Sequence, residues 1–358
     1  MTTAEEQRRE AGSLLIVGIE SEDLDDADRA LVERVQPFGV ILFKRNTPSR
    51  EAVAAIAARV REVAPAAVLA IDHEGGRVQR LPAPFTHFPP ALELARKGGP
   101  AKASAVGRAH ARELRAAGFA IDFAPVLDVH TNPDNPVIGD RAFGTTPEEV
   151  IHHALPYAQG LAEGGALGCG KHFPGHGDTA TDSHVELPVL GAATHPVERL
   201  RRIELRPFAR AISQGMPMLM TAHVRCEALD AERPATFSPT VLEDCLRGEL
   251  GFAGAVVSDD LDMGAVAASG DVGEAAVEAT AAGCDLLLVC QKAASVAAAH
   301  DALVAALERD AIPKYRMAQV RKRRDRLSKR LRKLAKHEPP ADCIGCDDHR
   351  RLCEELSA

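Results

Sequence analysis

Eight short segments rich in β-branched and other apolar residues recur along the 358-residue chain, and this recurrence is the strongest constraint on its fold. We predict strands at Leu14–Glu20, Phe38–Phe43, Ala67–Asp72, Ala120–Val129, Leu167–Phe173, Met218–Val224, Gly254–Asp260 and Cys284–Val289. Between them, Ala, Leu, Glu and Arg fall at helical spacing in Leu24–Val35, Arg50–Val63, Ala101–Ala117, Pro147–Ala162, Val197–Ser213, Pro239–Leu250 and Gly273–Ala282. Several helices are followed by a glycine suited to a left-handed C-cap: Gly118, Gly165, Gly215 and Gly251. Eight alternating strands and helices predict an α/β fold, a (β/α)8 TIM-type barrel.

The chain divides into a barrel and an extension. We assign residues 1–312 to the barrel, 313–337 to a basic amphipathic helix and 338–358 to a Cys-containing tail. Lys314 to Lys336 contains twelve Lys or Arg and one Asp. Apolar residues recur among these cations at helical spacing, at Met317, Val320, Leu327, Leu331 and Leu334. We expect the helix to dock on the acidic barrel wall; a membrane-surface or acidic-partner role is the alternative.

Composition narrows the function classes. The formal net charge is −8 and the cations are concentrated in one helix, which is not the pattern of a nucleic-acid binder. There is no Trp and there are only two Tyr, so a wide aromatic platform for polysaccharide is not expected, and a small polar pocket for a small-molecule carbohydrate is favoured. The N-terminus has no signal-peptide pattern and the chain has no run of 18 apolar residues, so we expect a soluble cytoplasmic monomer without stable membrane insertion.

The eight cysteines are scattered, and we expect them to be reduced thiols rather than a disulfide framework. Near the C-terminus, Cys343, Cys346, His349 and Cys353 are residue types that ligate zinc, but their spacing is cramped. A disordered, thiol-bearing tail is the other prediction for this segment.

Ionisable residues cluster where the predicted strands end. They are Asp72, His73 and Glu74 after strand three, Asp128 and His130 after strand four, Lys171 and His172 after strand five, His223 after strand six, and Asp259 and Asp260 after strand seven. In a parallel barrel these ends open on one face, which is where barrel enzymes have their active sites. We therefore predict an active site at this face.

The segment Lys171–His184 is the most informative of these exits. Pro174, Gly175 and Gly177 prevent it from continuing as strand or helix, so we predict a loop that closes over the site as a lid. Asp182 and His184 are two residues apart, so the carboxylate can bond one ring nitrogen and raise the basicity of the other. They form a candidate general acid/base pair; a structural pair that pins the loop is the alternative.

The two adjacent carboxylates at the end of strand seven point to opposite sides, because side chains alternate along a strand. Only one of Asp259 and Asp260 can therefore face the barrel axis at that depth. A fixed, ionised carboxylate there can act as a nucleophile, and it can equally ligate a metal or bond a neighbouring loop.

Two further segments, Asp72–Arg80 and Asn135–Phe143, carry Asp and Arg near strand exits. A carboxylate accepts hydroxyl protons and a guanidinium donates to oxygen atoms, so this mixture suits a polyhydroxylated ligand.

Together the segments resemble the glycoside hydrolase family 3 β-N-acetylglucosaminidases, in particular the single-domain, bacterial cytoplasmic branch of NagZ type that acts in peptidoglycan recycling. The resemblance covers about residues 14 to 310 and is carried by Gly39–Phe43, Asp72–Arg80, Phe123–Asp128, Gly139–Phe143, Lys171–Asp178, Asp182–His184 and Ser258–Leu261. It implies that Asp259 is the nucleophile and that His184, supported by Asp182, is the general acid/base. It further implies that the sugar's hydroxyl and acetamido groups are held by Asp72, Arg80, Arg141, Lys171 and His172, with His223 as a further pocket residue.

This resemblance implies a retaining exo-glycosidase that needs no cofactor and no metal. Four alternatives stay open: a phosphorylase that transfers the sugar to phosphate, a metal-dependent barrel hydrolase using the His and Asp residues of Lys171–His184, a Schiff-base enzyme using Lys171, and a non-catalytic sugar sensor.

Overall fold

The computed structural model describes residues 3–181, 183, 186–267, 271–335 and 339–357, with the backbone alone at position 267. No helix in these ranges is both long enough and apolar enough to cross a membrane.

The strands of the described chain, in order, are β1 (Leu15–Gly18), β2 (Gly39–Leu42), β3 (Val68–Ile71), β4 (Phe119–Asp122), β5 (Leu167–Phe173), β6 (Val189–Leu190), β7 (Met218–Thr221), β8 (Arg225–Cys226), β9 (Ala255–Asp260) and β10 (Leu286–Val289). Eight of them close a parallel barrel in the order β1-β10-β9-β7-β5-β4-β3-β2, and β6 pairs with β8 outside it. The predicted (β/α)8 fold is confirmed, and each predicted strand segment overlaps one barrel strand.

The helices surround this barrel. They are α1 (Ala4–Gly12), α2 (Asp26–Val35), α3 (Arg50–Val63), α4 (Ala91–Ala116), α5 (Pro147–Gly164), α6 (Val197–Arg202), α7 (Arg206–Ser213), α8 (Gly264–Ala267), α9 (Val272–Ala282), α10 (Ala293–Glu308), α11 (Lys314–Leu334) and α12 (Asp347–Ser357). Shorter 3₁₀ helices span Lys44–Asn46, Gly139–Arg141, Ala235–Phe237 and Ala341–Cys343, and a π-helix spans Thr240–Glu249. The four glycines predicted as C-caps all have φ between 72° and 99°.

Proline accounts for two of the differences between the predicted elements and the structure. The fourth strand ends at Asp122 rather than Val129, because Pro125 has no N–H to continue the ladder. The predicted helix Val197–Ser213 is two helices. Pro207 lies in the first turn of the second one and cannot donate to the turn before it, so the chain breaks between α6 and α7.

The last long helix closes the amino end of the barrel. Leu327 and Leu331 of α11 belong to the same buried apolar cluster as the residues that point into the barrel, among them Ile16, Ile41, Ala70, Ile121, Met218 and Val257. Phe38, before β2, and Val68, at the start of β3, contact this cluster. The helix therefore plugs the end of the barrel opposite the carboxyl ends of the strands, in addition to its ion pairs with the barrel, such as Arg321 with Glu10.

Residues 339–357 of the C-terminal tail are bonded to the barrel, so the prediction of a disordered tail is wrong for them. Leu356 of α12 is fully buried and lies against Gly98, where an added Cβ would be 2.8 Å from its Cδ2 atom. His349 Nδ1 bonds Glu113 Oε1 at 2.7 Å. The prediction of a zinc site from Cys343, Cys346, His349 and Cys353 is also wrong, because all four are described and they do not bring three ligand atoms together.

Glu113 joins this tail to the loop that follows β3. Its carboxylate accepts hydrogen bonds from Thr86 N at 2.9 Å, Thr86 Oγ1 at 2.6 Å and Gly345 N at 3.0 Å, besides the contact with His349. Burial raises the pKa of Glu113, but His349 and Thr86 outweigh it, so the net pKa is below its ordinary value. One buried, ionised side chain of α4 thus holds both the β3 loop and the segment before α12.

The plug predicts a stability effect. Leu331→Ala, at the amino end of the barrel, should lower the free energy of unfolding by about 2–5 kcal/mol, because it removes buried methyl groups and leaves a cavity. Lys329→Ala, on the exposed side of the same helix, should change it by no more than about 0.5 kcal/mol. Equilibrium urea unfolding measures both. Equal effects would contradict the placement of α11.

Candidate active site

A cavity of about 390 Å³ lies at the carboxyl ends of the barrel strands. Six of the nine predicted site residues line it: Asp72, Arg80, Arg141, Lys171, His172 and Asp259. They come from different elements, since Asp72 follows β3, Lys171 and His172 end β5, Asp259 ends β9, and Arg141 lies in the 3₁₀ helix Gly139–Arg141. The strand exits therefore converge as a parallel barrel requires.

A chain of opposite charges forms one wall of the cavity. Lys171 Nζ lies 2.6 Å from Asp72 Oδ1 and 2.7 Å from Glu74 Oε1. Arg141 binds the same Glu74 carboxylate in a bidentate manner, at 2.8 Å through Nε and 2.7 Å through Nη2. The side chains of Lys171 and Glu74 are only 2% and 5% exposed. Burial of either charge alone would be costly, so each requires the other.

The electrostatics of this wall fix its protonation. Burial would lower the pKa of Lys171, but Asp72 and Glu74 raise it to about 12. Burial would raise the pKa of Glu74, but Arg141 and Lys171 hold it well below its ordinary value. Lys171 is therefore an ammonium without a free electron pair at neutral pH. The Schiff-base alternative is not supported, because that chemistry needs a neutral amine.

His172 is oriented by a buried carboxylate. Its Nδ1 lies 2.7 Å from Asp128 Oδ2, and Asp128 also accepts the backbone N–H groups of His172, at 3.2 Å, and His176, at 2.8 Å. Burial raises the pKa of Asp128, but the two histidines outweigh it and the net shift is downward. Since Nδ1 donates to Asp128, the other edge of the His172 ring is left for a ligand in the cavity.

Asp259 is a partly buried carboxylate in the cavity wall. Its Oδ1 accepts the backbone N–H of Asp260 at 2.9 Å. Burial would raise its pKa, but His172, His223 and that N–H together hold the pKa below its ordinary value. Asp259 is therefore ionised across the neutral range, which is the state that a nucleophile needs.

Asp260, the next residue of β9, also lines the cavity, but its carboxylate is engaged by neighbouring groups. Its Oδ1 accepts the N–H groups of Asp262 at 3.1 Å and Cys290 at 3.0 Å, and its Oδ2 accepts from Gln291 Nε2 at 3.1 Å. Burial, with further contributions from Asp262 and Asp259, raises its pKa to about 6. The two neighbouring carboxyl groups are thus held in different environments, one ionised and one bonded to the β10 exit.

His223 is held by hydrogen bonds next to β9, and its contact with the sugar stays a prediction. Its Nε2 donates to the carbonyl oxygen of Asp260 at 3.0 Å, and its Nδ1 lies 2.9 Å from Thr236 Oγ1. The residue is buried and is not part of the cavity lining. Its position under β9 gives it a role in holding the backbone next to Asp259.

Asp182 and His184, the predicted acid/base pair, lie outside the described residues. Ser183, between them in the sequence, is described and lines the cavity. Its hydroxyl lies 3.1 Å from His176 Nε2, and its carbonyl oxygen accepts the N–H of Ala265 at 3.2 Å. The cavity wall therefore includes the residue that lies between Asp182 and His184 in the sequence.

The described residues offer one candidate set of metal ligands. Within them, one set of three potential ligands has its ligand atoms within 4.8 Å of one another: Asp178, His195 and Glu204. The Arg199 guanidinium already lies 2.8 Å from Asp178 and 3.2 Å from Glu204, so it supplies the positive charge there. His172 and His176 bond other groups, and the predicted metal cluster of Lys171–His184 is not assembled from its described members.

Sequence reasoning missed several site residues. Glu74 was part of a motif but had no assigned role, although it binds both Lys171 and Arg141. Asp128 was a strand-exit carboxylate without an assigned partner. A lone acidic residue beside a glycine pair is a signal for a loop that turns back into the barrel, and this signal could have identified Glu74 as a site residue. Nothing in the sequence pairs Asp128 with His172.

The pKa of Asp260 predicts a pH-dependent stability difference. A carboxyl group with a pKa of about 6 in the folded state and the ordinary value when unfolded binds more protons folded, so stability falls as pH rises between the two values. Asp260→Asn mimics the protonated form. Relative to the unsubstituted protein, it should gain up to about 3 kcal/mol in free energy of unfolding between pH 4 and pH 7, measured by urea unfolding.

The control for this measurement is Asp325→Asn, at an exposed position of α11. It should shift the free energy of unfolding by the same small amount at both pH values. An Asp260→Asn difference that is independent of pH would contradict the raised pKa.

Comparison with known proteins identifies relatives of this chain. The curated β-hexosaminidase of Methylococcus capsulatus is 44% identical over 268 residues, which cover 74% of this chain and 79% of that protein. A family 3 β-N-acetylglucosaminidase of Paenibacillus sp. FPU-7 has a similar structure, with a TM-score of 0.92 and 37% identity over 98% of this chain and 68% of that one. NagZ of Neisseria gonorrhoeae, solved in complex with N-trifluoroacetyl-D-glucosamine, gives a TM-score of 0.80 and 32% identity over 97% of both chains.

The family model described as the N-terminal domain of glycosyl hydrolase family 3 matches residues 8–329. This range contains the whole barrel, every described residue of the cavity lining and most of α11. The resemblance found in the sequence motifs is thereby confirmed: the chain belongs to glycosyl hydrolase family 3 and is a glycoside hydrolase.

Proposed function

We propose that the protein is a retaining exo-β-N-acetylglucosaminidase that removes a terminal, non-reducing, β-linked N-acetylglucosamine. The observation that carries this proposal is the ionised carboxylate of Asp259 in a cavity that is also lined by Asp72, Lys171 and Arg141, which Glu74 joins into one chain of charges. A nucleophile thus lies beside groups suited to sugar hydroxyls. The relatives named β-hexosaminidase support the same substrate class.

The cavity favours one terminal sugar over a long chain. Its volume of about 390 Å³ lies near the lower end of the range for small-molecule sites. Its polar wall offers carboxylate acceptors at Asp72 and donors at Lys171 and Arg80, whose guanidinium lies 4.0 Å from Asp72 Oδ2. Apolar side chains, among them Phe43, Val137 and Met220, form other parts of the lining and can pack against the acetamido methyl group or the sugar ring.

In the proposed mechanism, Asp259 attacks the anomeric carbon while His184 protonates the departing glycosidic oxygen. The C–O bond to the leaving group breaks as the bond to Asp259 forms, which gives a covalent glycosyl-enzyme. His184 then removes a proton from water, whose oxygen displaces Asp259. Two inversions give net retention. Asp182 orients His184 and stabilises the imidazolium that exists before the proton is donated.

A histidine suits this role near neutral pH. Its ordinary pKa of about 6.5 places it near the working pH without the desolvation that a carboxylic acid needs for the same purpose. The lid role predicted for Lys171–His184 belongs to this proposal, since closure over bound sugar would bring the acid to the leaving group only when substrate is present.

The resemblance also suggests the natural substrate. We propose that it is a peptidoglycan fragment in which N-acetylglucosamine is linked to an anhydro-N-acetylmuramyl peptide, hydrolysed in the cytoplasm during cell-wall recycling. The small cavity is compatible with such a fragment, because the peptide would lie outside it.

Asp259→Asn should lower kcat for nitrophenyl N-acetyl-β-D-glucosaminide by about 10⁴-fold or more, because the covalent intermediate can no longer form. Asp262→Asn, three positions later, removes the same charge from a residue that bonds the N–H of Gln291, and should cost less than about tenfold. Similar losses in the two variants would contradict the nucleophile assignment.

His184→Ala should impair substrates with poor leaving groups far more than activated ones. An aryl leaving group of low pKa departs without a proton, whereas a sugar alkoxide does not, so the two losses should differ by about 10²-fold or more in kcat/KM. A series of aryl N-acetylglucosaminides measures this slope. Equal losses along the series would indicate a structural role for His184.

The substrate class and the acceptor of the sugar are tested by two measurements. Release of nitrophenol from the N-acetyl-β-D-glucosaminide should exceed that from the plain β-glucoside by about 10²-fold or more, since the acetamido contacts are lost in the second. Product analysis with and without phosphate distinguishes the hydrolase from the phosphorylase. Free N-acetylglucosamine under both conditions supports the proposal, and formation of a sugar phosphate when phosphate is present overturns it.

A further inference from the structure

At the amino end of the barrel, opposite the cavity that contains Asp259, a basic crevice lies between α11 and the loops before β7 and β9. It has a volume of about 250 Å³ and adjoins a second of about 280 Å³, with which it shares Gly215, Met216, Pro217 and Arg330. Arg323, Arg326 and Arg330 line the first crevice. No Asp or Glu from the described residues lines either one. A basic crevice of this kind is unexpected in a chain of net charge −8.

The charge beneath the crevice is also positive. Asp285 is fully buried there, and its carboxylate contacts three guanidinium groups: Arg247 at 2.7 Å, Arg316 at 3.0 Å and Arg323 at 3.2 Å. One carboxylate cannot balance three cations, and Glu243 adds only a 3.4 Å contact to Arg247. Burial, together with the nearby Arg323 and Arg316, lowers the pKa of Arg247 even though Asp285 opposes this shift.

Two of the arginines have unused donors. The side chain of Arg326 makes no hydrogen bond or ion pair to any residue that the structure describes. The side chain of Arg330 donates only to the carbonyl oxygen of Gly215, at 3.2 Å, among the described residues. Along the exposed side of the same helix, Lys322, Lys329 and Lys333 have no acidic partner in the described part of the chain either. The positive potential of the crevice is therefore reinforced from outside rather than neutralised.

We propose that this crevice binds an anion that carries phosphoryl groups, held by Arg326 and Arg330 with support from Arg323. The planar, forked guanidinium matches phosphate oxygens in pairs, and most of the donors of Arg326 and Arg330 are not engaged by described residues. Positions 323, 326 and 330 lie on one side of two consecutive turns of the helix, so their side chains line the same crevice. This site does not overlap the glycosidase cavity, and the proposal does not depend on that activity.

The phosphoryl groups have two plausible sources, a soluble diphosphate compound or the headgroups of an anionic phospholipid. Inorganic pyrophosphate is the probe for the first, measured by isothermal titration calorimetry at fixed ionic strength. Co-sedimentation with phosphatidylglycerol vesicles, against phosphatidylcholine vesicles, is the probe for the second.

The test compares two variants of the full chain that each remove two positive charges from α11. In Arg326→Gln/Arg330→Gln the crevice loses its two available cations. Lys322→Gln/Arg332→Gln, the control pair, loses two cations that are as exposed as Arg326 and Arg330 but do not line the crevice. Arg326→Gln alone serves as a second crevice variant, because Arg326 makes no described polar contact whose loss could affect folding.

We expect the crevice variants to weaken pyrophosphate binding by about tenfold or more, and the control pair Lys322→Gln/Arg332→Gln to weaken it by about twofold at most. If pyrophosphate does not bind, the vesicles decide. Vesicle binding that the crevice variants lose and the control pair retains supports the proposal, with lipid as the source of the phosphoryl groups. The proposal is overturned if neither pyrophosphate nor the vesicles bind, or if the crevice variants and the control pair lose binding equally. The glycosidase assay, which should be unchanged in all variants, shows that the barrel is intact.

Discussion

The contact of the Lys171 ammonium with the carboxylates of Asp72 and Glu74 is the interaction on which the site depends. The carboxyl ends of the strands bring Asp72, Glu74, Asp128, Asp259 and Asp260 together, and such a concentration of negative charge could not be buried without internal cations. Lys171 supplies one, from the end of β5, and Arg141 supplies a second by binding the far side of Glu74. The wall that results joins β3, β5 and the loop after β4 into one charged surface. Its donors and acceptors are fixed before any sugar arrives, which is the preorganisation that electrostatic catalysis requires.

The same logic separates the roles of the carboxyl groups. Asp259 remains ionised because two imidazoles and a backbone N–H outweigh its burial, whereas the carboxyl group of Asp260, one residue later, is bonded to the β10 exit and its pKa is raised to about 6. Asp128 holds His172 and the backbone of His176, so it positions the ring that faces the cavity instead of contacting a ligand itself. Difference in environment, rather than in residue type, assigns each group its function.

The barrel and the cavity lining were accessible from the sequence because both follow from local periodicity. Alternating segments predict the barrel, and in a parallel barrel every strand exit faces the same end, so Asp72, Lys171, His172 and Asp259 could be placed together without knowing a single contact. What the sequence could not provide was the partner of each side chain. The pattern of α11 identified its apolar face but not that Leu327 and Leu331 enter the barrel. The tail residues His349 and Cys343 suggested zinc, while their actual neighbours, Glu113 and the carbonyl oxygen of Arg112, are more than 200 positions away in the chain. A strand exit likewise does not reveal that the ring of His223 bonds the carbonyl oxygen of Asp260.

The dependence of the barrel on its last two helices has a consequence for biosynthesis. A ribosome releases the strands first, yet the apolar amino end of the barrel has no cover until α11 has emerged, and the carboxylate of Glu113 lacks two of its partners until Gly345 and His349 follow. Until then the β3 loop that carries Asp72 and Glu74 is attached to Glu113 through Thr86 only. The nascent chain therefore exposes a hydrophobic opening for most of its translation, which makes it a natural client for chaperones that recognise apolar surface.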